Sequence, residues 1–173
     1  MTDPLWLSIM RAFIGLQELP GTGSNPVILQ WARDLKVPHW YDDDDKPWCA
    51  LAINRMLMAA RLPVARGDKS IAAEGYDLLR AKTFETYGRK LDIPAYGCIL
   101  VFSRPEGAHV GFYLGERKDA YCVLGGNQTN RISIAWVKKD RLVAMRWPEG
   151  TTEEPVLGRV WLNGDATVST NEG

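Results

Sequence analysis

The sequence predicts an α+β fold, with N-terminal helices packed on a C-terminal antiparallel sheet of five or six strands. Three observations predict it. Before residue 94 the apolar residues recur at helical spacing, and after it they fall in short runs closed by turn residues. The runs follow one another at about ten-residue intervals, the rhythm of an antiparallel meander. Helices therefore come first and strands second, which excludes a doubly wound α/β arrangement. The length, 173 residues, suffices for one domain with a real core and is too short for two ordinary ones.

The first helix spans Pro4 to Gly15, with Leu5, Ile9, Phe13 and Leu16 on one stripe, and Leu19-Pro20-Gly21 breaks it. Ser24-Asn25-Pro26 is a helix start, because proline suits the first turn, and Val27 to Lys36 is the second helix. His39 to Lys46 is a polar loop with four consecutive aspartates. Pro47 opens a third helix that runs to about Arg61. A fourth helical segment is expected from Ser70 to Lys82, with Ala72, Tyr76 and Leu79 inward. Five strands follow: Cys98–Phe102, His109–Leu114, Ala120–Leu124, Arg131–Val137 and Leu142–Trp147. Pro148 to Pro155 is a linker, Val156 to Leu162 a candidate sixth strand, and Asn163 to Gly173 a polar tail expected to be mobile. The domain thus covers residues 1–148, and 149–173 form an appendage.

Composition narrows the function. Lys+Arg and Asp+Glu number 21 each, so the basic excess of a nucleic-acid binder is absent. With 46% hydrophobic and 24% charged residues the chain reads as globular. No basic, apolar leader and no membrane-length window is visible, so no membrane insertion is expected. The expectation is cytoplasmic synthesis followed by delivery elsewhere. The cysteines are Cys49, Cys98 and Cys122, an odd number without a CxxC pair, and there are 2 histidines. Neither a complete disulfide framework nor a structural zinc site fits, and no cofactor is implied. Cys98 and Cys122 lie within predicted strands and read as buried apolar thiols.

Cys49 is different, because it falls at a helix start. Unpaired first-turn N–H groups and the positive end of the helix dipole stabilise a thiolate there and lower its pKa. The same N–H groups suit a developing oxyanion. The candidate bases are His39 and His109, and the small residues around His109, in Gly107-Ala108-His109-Val110-Gly111, leave its ring approachable. A base needs an orienting group, and Asn127, after Gly125-Gly126, ends the neighbouring predicted strand. Each residue also has a plain structural reading: a buried small thiol, a hydrogen-bonded histidine, a turn. Together they supply nucleophile, base and orienter.

Asp44-Asp45-Lys46-Pro47-Trp48-Cys49-Ala50, His109-Val110-Gly111-Phe112, Leu124-Gly125-Gly126-Asn127-Gln128 and Arg146-Trp147-Pro148 resemble the papain-like cell-wall cysteine peptidases of the NlpC and CHAP group. The likeness is to the phage- and prophage-associated subgroup of this length, and covers roughly residues 4 to 148. Trp6, Gly15, Glu18, Pro20-Gly21 and Ser24-Asn25-Pro26 fit as well. The resemblance implies a papain-like fold with Cys49 as nucleophile, His109 as base and Asn127 as the residue that orients it. It implies hydrolysis of an amide bond in bacterial peptidoglycan, with delivery through a holin, a tail or a secretion system.

Around these residues the substrate-binding candidates are Tyr41, Trp48, Asp45 and Gln128. Tyr41 is a candidate second oxyanion donor, and Trp48 either walls the cleft or belongs to the core. Asp42 to Asp45 have three readings: a solvated loop with Asp44 or Asp45 capping the third helix, recognition of a cationic amine on a stem peptide, or calcium binding as in some CHAP domains. Against calcium, the run lacks alternating acid spacing and a glycine. The readings that compete are an endopeptidase of the stem peptide or cross-link, an N-acetylmuramoyl-L-alanine amidase, a wall-targeted toxin with the same chemistry, and a non-catalytic wall-binding or tail-structural module.

Overall fold

Three helices from the first third of the chain pack on a six-stranded antiparallel sheet built from the last half, an α+β arrangement. The computed structural model describes residues 1–21, 23–67, 75–164 and 167–169. The helices are α1 (Leu5–Arg11), α2 (Pro26–Leu35) and α3 (Cys49–Ala59). The strands are β1 (Arg89–Lys90), β2 (Ile99–Arg104), β3 (Gly107–Glu116), β4 (Ala120–Gly125), β5 (Ser133–Lys138) and β6 (Leu142–Trp147), in the spatial order β1-β6-β2-β3-β4-β5.

Local chemistry sets most boundaries. The Asn25 side chain caps α2 by accepting from the Val27 N–H at 2.9 Å, and Pro26 supplies its first turn. α3 buries eight of its 11 residues, including Leu51, Ile53, Met56 and Leu57. It is the central helix, touching α1, α2 and β3. It begins at Cys49 rather than Pro47, with Trp48 as an N-cap whose side chain makes no capping bond. Asp44 does not cap α3 either: its Oδ2 accepts from the Asn25 N–H at 2.6 Å and the Leu19 N–H at 3.4 Å, tying the loop before α3 to the α1–α2 connection.

The expected fourth helix is not continuous. Its first part lies outside the described residues. The rest forms two 3-10 turns, Tyr76–Leu79 and Ala81–Glu85, separated by an extended Arg80. Gly75, at φ +72, precedes them against the Lys36 carbonyl, where a Cβ would sit 3.0 Å from that oxygen. Asn54, buried in α3, fastens this connection: its Nδ2 donates to the Leu78 carbonyl at 3.0 Å and its Oδ1 accepts from Ala65 N–H at 2.8 Å. Asn54→Ala strands both backbone groups, and the expected loss is about 2–4 kcal/mol of stability, read by urea denaturation.

The sheet departs from a simple meander. β2 to β5 are consecutive neighbours, but β6 returns to the far side of β2 and β1 adds beyond it. The sixth strand is therefore Arg89–Lys90 and not Val156–Leu162. The latter segment is a strap with isolated bridges, Ala95 to Leu157 and Glu116 to Trp161. Its anchor is Glu116, whose N–H donates to Val160 O at 2.7 Å and whose carbonyl accepts from Leu162 N at 2.9 Å. The buried Glu116 carboxylate meets Lys139 at 2.8 Å, Arg159 at 3.2 Å and the Tyr113 hydroxyl at 3.1 Å. Within the expected polar tail, Val168 bridges Trp136 and the Ser169 N–H donates to the Trp136 carbonyl, while residues 165–166 and 170–173 lie outside the described set.

Candidate active site

Cys49 is the first residue of α3 and is only 4% exposed. Helix α3 packs on strand β3, and the backbone N–H groups of Val110, Ala50 and Cys49 itself act to lower the pKa of the thiol. Burial raises the Cys49 pKa above that of an ordinary thiol, and the N–H donors and the charge of Arg104 offset only part of that. This corrects the expectation of a depressed pKa: the donors act in the expected direction, but desolvation is the larger effect. Cys49 is therefore expected to react with iodoacetamide slowly at neutral pH and faster as pH rises through the alkaline range, read by mass spectrometry of the alkylated peptide.

His109 lies on β3, opposite Phe102 of β2, and is fully buried with its ring stacked near Phe102 at 6.5 Å. The residue at its ring is Gln128: Nε2 lies 3.1 Å from Gln128 Oε1. The Gln128 amide nitrogen faces two carbonyls, Ser133 at 2.5 Å and Val123 at 3.4 Å. A nitrogen belongs there, so the oxygen must face the imidazole. The oxygen only accepts, so His109 carries a proton on Nε2, and in the neutral ring Nδ1 holds the lone pair. Backbone bonds from Gln128 N to Arg131 O and from Ser133 Oγ to Gln128 O fix the turn.

Asn127 makes no hydrogen bond to His109. It adopts φ +55 in the turn, is 5% exposed, and its Oδ1 has no hydrogen-bond partner. The glycines of the motif are there for space. A Cβ on Gly125 would lie 2.9 Å from the Gln128 amide and 3.2 Å from His109 Nε2. One on Gly126 would lie 2.7 Å from Ala52 Cβ and 3.0 Å from the Trp48 ring, and one on Gly111 would lie 2.4 Å from Val123 Cγ1. Gly125→Ala is expected to push Gln128 off the imidazole, visible as loss of the Nε2-protonated signal in nitrogen NMR of His109.

The chain matches no family model and no curated protein sequence. The local chemistry of the remaining candidates therefore stands on its own geometry. His39 lines a cavity of about 280 Å³ with Leu29, Arg33, Tyr41 and Asp42, and Cys49 is not part of that lining. Tyr41 is buried, its hydroxyl donates to the Lys46 carbonyl at 3.2 Å, and burial beside Asp44 and Glu18 holds the phenol well above its ordinary pKa. Trp48 is fully buried and its Nε1 donates to Glu18 Oε1 at 2.7 Å, so it belongs to the core and presents no wall to a ligand. Asp42 and Asp43 both hold Lys46, at 2.6 and 2.5 Å, and Asp45 is exposed. Among the described residues no group of three or more His, Cys, Asp or Glu side chains is arranged to hold a metal. Burial pushes Cys98 up to about 12 and Cys122 up to about 11, and all three cysteines are free thiols. Cys122 is paired with Gly115 and Trp136, so it has no register contact with Cys98.

The sequence reading missed two residues of this region. Gln128, a substrate-binding candidate from sequence, touches the imidazole. Glu18, part of the N-terminal likeness alone, bonds the residue before Cys49.

Proposed function

We propose that this chain is a cysteine hydrolase of bacterial peptidoglycan that cleaves an amide bond in the stem peptide or cross-link. The observation that carries the reading is the placement of Cys49 at the first residue of α3, which packs on β3, with His109 on that strand held by Gln128. The motif likeness to papain-like wall peptidases supplies the substrate class.

In this reading Cys49 gives its proton to His109 Nδ1 and the thiolate attacks the scissile carbonyl. The backbone N–H of Cys49 stabilises the oxyanion. The imidazolium, held by Gln128, protonates the leaving amine, and water then hydrolyses the thioester. Gln128 takes the orienting role that the resemblance gives to Asn127. Cys49 and His109 are both nearly sealed, so reaction requires a local opening that admits substrate to them. Action on the wall follows delivery by a holin, tail or secretion system.

The test is digestion of purified peptidoglycan by the protein and by Cys49→Ala, with mass spectrometry of the soluble fragments. Fragments from the wild type alone support the reading, and their masses separate an endopeptidase from an amidase at the muramyl–alanine bond. A folded wild type inert on walls of several chemotypes overturns it in favour of a binding or structural module.

A further inference from the structure

Asn163-Gly164 lies between two fixed points of the C-terminal segment. On one side the Leu162 N–H donates to the Glu116 carbonyl at 2.9 Å, and the Leu162 side chain packs against Gly115. On the other the Gly164 carbonyl accepts from Arg117 Nη1 at 2.8 Å, and the Arg117 guanidinium lies over the Trp136 ring at 4.7 Å. Further on, Val168 bridges Trp136 and the Ser169 N–H donates to its carbonyl. The linkage between Asn163 and Gly164 is itself unheld. Both residues are exposed and lie outside helix and strand. Among the described residues neither the Gly164 N–H nor the Asn163 side chain has a hydrogen-bond partner.

The chain has six asparagines, and Asn163 alone precedes a glycine, whose nitrogen has no side chain beside it to hinder approach. Asn25 precedes Pro26, which carries no N–H. Asn54 is buried in α3 with its amide bonded at both ends. Asn127 is buried, and the N–H that follows it donates to the Arg131 carbonyl at 2.9 Å. Asn130 precedes the branched-out Arg131, and Asn171 lies outside the described residues.

We propose that Asn163 is a site of spontaneous deamidation whose isoaspartyl product releases the C-terminal tail from β5. The Gly164 nitrogen loses its proton and attacks Asn163 Cγ. The N–Cγ bond forms, the Cγ–Nδ2 bond breaks and ammonia leaves. Water then opens the cyclic imide. Opening at Cγ gives aspartate in an ordinary chain, and opening at the backbone carbonyl gives isoaspartate, in which the main chain runs through Cβ and Cγ. One water is consumed and one ammonia released, with no oxidation or reduction. The isoaspartyl chain carries an extra main-chain carbon between two pinned residues, so one of them must yield. Leu162 is held by a backbone bond and a packed side chain, whereas Gly164 is held by one exposed hydrogen bond. Gly164 yields, and the tail beyond it leaves Trp136.

The test ages the full-length protein at neutral and mildly alkaline pH and maps its peptides by mass spectrometry, with enzymatic methyl labelling of isoaspartyl carboxylates. Asn163 is expected to convert within about threefold of its rate in a synthetic peptide of residues 160–166, because no contact holds the reacting linkage. It should convert about tenfold or more faster than Asn127 and Asn130. The rate should rise up to about tenfold per pH unit, with the ionised fraction of the attacking nitrogen. Asn163→Gln, which needs a larger ring, should keep its amide over the same period. Release is read by hydrogen exchange: protection of the Ser169 amide is expected to be lost in the isoaspartyl protein and kept in Asn163→Asp, which adds the charge without the extra carbon. Conversion of Asn127 or Asn130 first, or an Asn163 amide that outlasts the peptide's by roughly tenfold, overturns the site. Complete isoaspartyl conversion with Ser169 still protected overturns the release, and so does equal loss of protection in Asn163→Asp.

Discussion

Gln128→Ala is expected to reduce wall-digesting turnover by roughly 10²- to 10⁴-fold, the range seen when a general base or its orienting partner is removed. The reason is the proton count at His109. The carbonyls of Ser133 and Val123 hold the Gln128 amide nitrogen, so its oxygen selects the Nε2-protonated ring. Without that acceptor the proton is free to move to Nδ1, the nitrogen that takes the Cys49 proton in the proposed mechanism. The loss should fall on kcat with KM nearly unchanged, and nitrogen NMR of the imidazole should show the tautomer mixture directly. Gln128→Glu is expected to be no rescue, because a carboxylate facing two carbonyls has no donor to offer them. Asn127→Gly, which keeps the left-handed turn accessible, is the control: turnover within about threefold of wild type supports the assignment. If Asn127→Gly is the crippled variant and Gln128→Ala the active one, the orienting role returns to Asn127.

Trp48→Ala is expected to cost about 3–5 kcal/mol of stability, because it empties a fully buried indole site beneath Gly126 and frees the Glu18 carboxylate. For a chain of this size that corresponds to a fall in Tm of roughly 10 °C. Trp48→Phe should recover much of it, retaining the packing and losing the Nε1 donor. Calorimetry of the three proteins checks the core assignment, since a residue lining a ligand site would change substrate affinity and leave Tm almost in place.

Much of this was legible in the sequence where one local signal dominates. Asn25-Pro26 marks α2 because cap chemistry is local, and the largely apolar runs at 98–102, 109–114 and 120–124 mark the buried strands β2, β3 and β4 to within a few residues. The rest depends on partners distant in the chain. Periodicity over 70–82 suggests a helix, but Gly75 and an extended Arg80 divide its described part into 3-10 turns. Nothing local tells β6 to lie beside β2 rather than β5. Asn127 and Gln128 are adjacent, and which amide reaches β3 follows from a turn with left-handed φ at Asn127, Thr129 and Asn130 that no single residue announces. Asp44 resembles a cap for the helix that follows it, yet it serves the Leu19 and Asn25 N–H groups before it. The Cys49 pKa turns on how far the thiol is buried, a property of the whole fold that position at a helix start does not carry.

The clasp at Glu116 has a consequence for how the protein is made. A nascent chain that has released residues 1 to 140 already contains Cys49, His109 and Gln128, but its sheet still lacks β6 along the open side of β2. Its Glu116 carboxylate still lacks Arg159, and the backbone around Gly115 still lacks the Leu162 that packs against it. Closure of the hydrophobic layers therefore waits until β6 and then Leu162 have left the ribosome, well after the last of the three site residues has emerged. A translation product truncated before residue 147 should be recognised by chaperones and proteases as unfinished, even though every residue assigned to its chemistry has been synthesised.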